Sequence, residues 1–134
     1  MKAISVRTPD TEWTSVASVF GERAISNGKP LVQFKILSDR RPEGGGIAWL
    51  IKFSPPAGKL IKLIAVAQSD EHVYVLEGGY CNRAGEQLRF PGDYALNPQG
   101  HPHSAFIGVE TVGVAVYAGE PDKVVELEVI DPIA

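Results

Sequence analysis

Apolar residues recur at alternate positions over short stretches of this chain, and no apolar stripe of helical period persists for about ten residues anywhere in it. Ile47, Trp49, Ile51 and Phe53 stand two apart, so 47–53 predicts a strand with one face turned inward. Residues 60–67 are apolar on both faces apart from Lys62, as in a strand with neighbours on either side. After a break at Ser69 and Asp70 the alternation resumes, with Glu71, Val73 and Val75 on one face and His72, Tyr74 and Leu76 on the other. Further strands are expected over 31–37, 87–90, 94–96, 112–117 and 124–130, separated by Gly-, Pro- and Asp-rich turns. Short apolar fragments at 3–6 and 16–20 predict edge strands or an N-terminal arm within residues 1–30. The Gly44-Gly45-Gly46 run is read as a flexible connector, because a phosphate-binding loop would be followed by a helix and 47–53 has the pattern of a strand. Many short strands punctuated by turns predict an all-β antiparallel sandwich or barrel.

Length and composition narrow the function classes. At 134 residues the chain is expected to form one domain, 1–134, large enough to bury a sizeable core. A formal charge of −3 and 22% charged residues offer no basic patch for nucleic acid, which favours a small molecule or a protein as partner. Cys81, the single cysteine, cannot close an internal disulfide. The opening stretch lacks an apolar leader and no window reaches membrane-spanning length, so a cytoplasmic location without membrane partners is expected.

Candidate chemistry gathers in residues 92–103. Asn97-Pro98-Gln99-Gly100 reads as a turn, and His101 and His103 follow it two apart, on one face if the chain is extended there. By strand parity Glu71 points inward and needs a partner, for which His103 is the candidate; together they form an acid–base pair. Trp49 and Phe53 are expected to line or back a ligand cavity. His72 should face outward, and Cys81 reads as a structural thiol.

The same stretch resembles the second conserved motif of the cupin superfamily: Gly92, Pro98, Gly100 and His103 fall in register, with Ile107 where the motif ends in Asn. Gly58, Glu71 and Gly78 match the first motif at allowed spacings, but no histidine lies between Gly58 and Glu71. Its two histidine positions fall on Ile64 and Val66, or on Ala65 and Ala67. The resemblance covers about residues 47–118. It implies a cupin-type double-stranded jelly-roll β-barrel of the RmlC-like kind. In that superfamily, two first-motif histidines, a Glu and the second-motif His hold the metal, and only Glu71 and His103 carry over. His101 would supply a third ligand, giving a weakly held divalent ion such as Fe, Zn, Ni or Mn at Glu71, His101 and His103.

The leading expectation is a small-molecule-binding cupin with a degenerate metal site and its enzyme status open. Alternatives are a metal-dependent dioxygenase or hydrolase using the Glu71–His101–His103 set, a metal-free isomerase or lyase using Glu71 and His103, and a non-catalytic dimeric sensor or interaction module. The general style is similar to acetylacetone-dioxygenase-like cupins and to the cupin domain of anti-sigma factors. Unpaired edges at the N-terminal fragments and at 124–130 lead to the expectation of a homodimer.

Overall fold

The computed structural model of the chain describes residues 2–16 and 21–133. Eleven strands are formed among them: β1 (Thr14–Ser15), β2 (Ile25–Ser26), β3 (Lys29–Pro30), β4 (Val32–Asp39), β5 (Ile47–Phe53), β6 (Leu60–Val66), β7 (Glu71–Glu77), β8 (Tyr94–Asn97), β9 (Pro102–Ile107), β10 (Thr111–Tyr117) and β11 (Lys123–Ile130). Helical structure among the described residues is limited to short 3₁₀ turns, and none of it is long and apolar enough to cross a membrane. A six-stranded sheet in the order β1-β4-β5-β10-β7-β8 faces a three-stranded sheet in the order β11-β6-β9, with β2 and β3 as a separate hairpin. Every pairing is antiparallel. The chain is an all-β jelly roll, as its period-two patterning requires.

The core lies between the two sheets. Val32 and Phe53 from the larger sheet meet Ile61, Ile107 and Leu127 from the smaller one, all buried. β6 owes its two-sided apolar character to its central place: Ile61, Leu63 and Ala65 pair with Ile107, Ala105 and His103 of β9 on one flank, and β11 covers the other. Lys62, the polar exception, points away from the core and pairs with Glu126 at 3.0 Å.

One expected element takes another form. Residues 87–90 are not a strand, since Gln87 makes only an isolated bridge to Cys81 while the Leu88 and Arg89 amides both donate to Tyr80 O. Of the two forms expected for residues 3–6, an edge strand or an N-terminal arm, the chain there takes no strand, and Lys35 Nζ holds the arm through Thr8 O at 2.8 Å. Of the apolar fragment at 16–20, residues 17–20 lie outside the described residues; Val16 is buried, and its amide donates to Val32 O.

The 44–46 run is a fitted turn. The Gly45 amide donates to Arg40 O and the Arg40 amide to Gly46 O, each at 2.8 Å. A Cβ on Gly46 would stand 1.8 Å from Tyr117 O, so a glycine is what lets the entry to β5 lie against the end of β10. Thr111, fully buried, fixes the opposite end of β10: its hydroxyl accepts from Gly79 N and lies 2.9 Å from Gly79 O.

From this packing, Gly46→Ala is expected to lower the unfolding free energy by about 1–3 kcal/mol, because the main chain at Tyr117 must move to admit the methyl group. Gly85→Ala meets open space and is strained only by its φ of 87°, so it should cost less, about 1 kcal/mol. Urea unfolding midpoints of the two variants check the ranking.

Candidate functional site

Register across the larger sheet brings three inward-facing polar side chains into one row. Tyr117 pairs with Glu71, and Glu71 with Asn97, while the next row inward is Trp49, Ala115, Val73 and Ala95. Glu71 is buried despite its charge, at 5% exposure. Asn97 Nδ2 donates to Glu71 Oε1 at 2.8 Å, and Tyr117 stands beside Glu71 on the neighbouring strand. From the smaller sheet, β9 presents His103 opposite Ala65, and the chain entering β11 presents Asp122. His103 Nε2 stands 2.7 Å from Asp122 Oδ2 and 3.9 Å from Glu71 Oε1.

Crowding sets the electrostatics. Burial first, then the Glu71 charge and a hydrogen bond with Glu71, push the Asp122 carboxyl up to about 7. The His103 imidazole is held below its ordinary value, chiefly by burial and secondarily by His101, with Glu71 opposing. The Tyr117 phenol is raised well above the usual range by burial and then by the Glu71 and Asp122 charges. Asp122 Oδ1 is buried and receives no hydrogen bond. A proton or a cation would satisfy it.

The ligand atoms of Glu71, His103 and Asp122 all lie within 4.8 Å of one another. Metal–donor bonds of about 2.0–2.2 Å place neighbouring ligand atoms roughly 3–4 Å apart, so the set fits a divalent ion after the His103–Asp122 contact opens by a few tenths of an ångström. Two carboxylates and one imidazole suit iron, manganese or zinc, and the orphaned Oδ1 is consistent with such an ion.

The structure places Glu71 and His103 together. It does not bring His101 to them. β9 begins at Pro102, so His101 belongs to the preceding turn, where its amide donates to Pro98 O and its side chain is exposed. The expected Glu71–His101–His103 set is therefore corrected to Glu71, His103 and Asp122. Asp122 was legible in the sequence only as a turn residue; the available signal was its parity with Val124, with which it lines the cavity while Lys123 between them is exposed. His72 faces outward as expected and bonds Tyr94 Oη through Nδ1 at 2.6 Å. Cys81 is half-buried with its thiol bonded to Phe106 O, and burial pushes that thiol up.

This cluster lines a cavity of about 370 Å³ between the sheets. The remaining walls are largely apolar, with Phe34, Trp49, Ile51, Phe53, Val73 and Leu63 prominent. Trp49 and Phe53 both line it, and Trp49 is steadied between Phe34 and Tyr117 at ring separations of 5.2 and 5.4 Å. The exposed lining residues Leu88, Arg89 and Ser104 mark a mouth between the 87–93 segment and β9.

No family model and no curated protein sequence matches the chain. Solved structures do. An RmlC-like cupin from Shewanella frigidimarina is 16% identical with a TM-score of 0.61, over 88% of this chain and 91% of that one. The polyketide cyclase RemF from Streptomyces resistomycificus is 20% identical with a TM-score of 0.57, over 95% and 84%. A structure of Fe(II)-HppE with an alternative substrate gives 12% and 0.53, over 87% and 60%. At these identities the likeness concerns the fold, which joins the sheet order and the inward Glu71 and His103 in one conclusion: the chain has the cupin fold, in its RmlC-like form.

Proposed function

We propose that this protein binds a small, largely apolar molecule in the barrel cavity and holds one divalent cation at Glu71, His103 and Asp122 against the inner end of that molecule. The observation that carries the reading is the convergence of three ligand atoms, within 4.8 Å of one another, at the wall of an otherwise apolar cavity. A bound cation would supply Lewis-acid polarisation of a ligand oxygen. Asn97 orients Glu71 through its hydrogen bond, and the aromatic wall of Phe34, Trp49 and Phe53 keeps water away. The iron(II) in one fold neighbour supports a metal reading, and a polyketide cyclase among the others supports a small organic molecule as ligand.

A second reading rests on Asp122. A carboxyl pushed up to about 7, bonded to His103 and Glu71, can exchange a proton near neutral pH, which suits a metal-free isomerase or lyase.

Metal stoichiometry by mass spectrometry after dialysis separates the two. The parent and His101→Ala are expected to retain about one equivalent, and His103→Ala, Asp122→Asn and Glu71→Gln each to lose most of it. One equivalent retained by His103→Ala would overturn the metal reading, and background metal in every sample, parent included, leaves the proton-transfer reading.

The pH dependence follows in sign. Asp122 keeps its proton until about pH 7, so loading a cation below that value must displace it, whereas the downward shift of His103 lessens competition from a proton on its imidazole. Metal affinity is therefore expected to be flat above about pH 7 and to fall about tenfold per unit below it, with roughly one proton released per ion at pH 6 in calorimetry run in two buffers.

We also propose a homodimer. β1 and β11 are edge strands, and the outer face of the larger sheet exposes Tyr74, Leu76, Tyr94, Leu96 and Val116. Sedimentation velocity at micromolar concentration should give twice the 14.4 kDa of one chain.

A further inference from the structure

We infer that the molecule taken up by the cavity is an organic anion, a small apolar carboxylic acid, whose carboxylate is held by Arg89 at the mouth while its other end faces Glu71, His103 and Asp122. The inference rests on the small-molecule reading above and adds the chemical class of the ligand.

Arg89 is the one lysine or arginine among the described residues lining the cavity. Its guanidinium has no hydrogen-bond or ion-pair partner among the described residues, in contrast to Arg41, which is paired with Asp39 at 2.7 Å and Glu120 at 3.1 Å. Yet its main chain is fixed on both sides. The Arg89 amide donates to Tyr80 O at 3.0 Å, and Gln87 Nε2 donates to Arg89 O at 2.9 Å and to Gly78 O at 3.0 Å. Gly79, at φ 146°, lets this segment lie close, since a Cβ there would stand 2.0 Å from Arg89 O. The following turn is tied by Phe90 N to Asp93 Oδ2 at 2.8 Å. A cation without a partner is thus carried on an ordered segment, at the rim of a cavity whose low-polarity walls focus its field.

The guanidinium fork matches a carboxylate in two parallel hydrogen bonds, and the site supplies no acidic side chain to occupy it. The wall behind it selects an apolar body. A cavity of about 370 Å³ has room for on the order of a dozen water-sized groups, so the body is short. The carboxylates of Glu71 and Asp122 repel an anion at their end and together offset the charge of a divalent ion held there, so with or without the ion the net positive end of the cavity is Arg89, which orients the carboxylate toward it.

The test uses 4-phenylbutyrate and its neutral counterpart 4-phenylbutyramide as probes, titrated calorimetrically into the full chain as purified, with metal content measured on the same samples. The parent is expected to bind the acid about tenfold or more tighter than the amide. Arg89→Gln should bind both about equally with its metal content unchanged, and Arg89→Lys should recover part of the preference. Circular dichroism on each variant guards against loss of fold, which the exposed position of Arg89 makes small. Equal binding of the two probes by the parent, no binding of either, or a preference that survives Arg89→Gln would overturn the inference. A preference that survives Arg89→Gln but disappears on removal of metal would place the carboxylate at the metal instead. Metal content, read independently, reports on the Glu71–His103–Asp122 cluster whichever way the probes fall.

Discussion

Everything at this site depends on keeping two carboxylates and an imidazole together away from water. Isolated charges of that kind are not tolerated in an apolar interior, and the structure meets the cost in three ways. Asn97 donates to Glu71, His103 bonds Asp122, and Asp122 retains a proton up to about pH 7. Even so, one oxygen of Asp122 is left without a donor. A cluster so arranged is strained toward accepting positive charge, and the same feature makes it suitable for a cation or for a proton in transit.

The scaffold that holds it is rigid where precision is needed. Tyr117, Glu71 and Asn97 come from three adjacent strands in one register row, so their relative positions are set by backbone hydrogen bonds. Gly46 and Thr111 secure the two ends of the central strand β10, one by absence of a side chain and one by a buried hydroxyl. His103 and Asp122 arrive from the facing sheet, so the cluster bridges the two layers of the sandwich. Distortion of either sheet would therefore be felt at the cluster before it disrupted the apolar core.

The two ends of the cavity differ in kind. Its inner polar wall is acidic and hydrogen-bonded, and its mouth carries an arginine with nothing to bind. Between them lie aromatic and aliphatic walls, among which Trp49 and Phe53 are packed against neighbouring rings. Such a gradient orients a ligand by chemistry at both ends and by shape in between.

The sequence by itself determined the strands and their faces, because side chains alternate strictly across a pleated backbone. That parity put Glu71 inward and His72 outward, and it placed Trp49 and Phe53 on the cavity wall. The spacing of Gly92, Pro98, Gly100 and His103 was enough to suggest the fold. Only the tertiary structure decided who joins Glu71 and His103. His101 shares parity with His103 on paper, but its amide is bonded in the turn to Pro98 O and the strand begins one residue later, at Pro102. Asp122 is far from both partners in sequence, and it reaches them because β11 pairs with β6 and β6 with β9. Arg89 likewise depends on its amide's bond to Tyr80 O and on Gln87, whose side chain ties Arg89 O to Gly78 O, and these bonds turned an expected strand into a loop at the mouth. Local periodicity fixes which way a side chain faces; which side chains meet is set by register between strands distant in sequence, and that information is spread over the whole barrel.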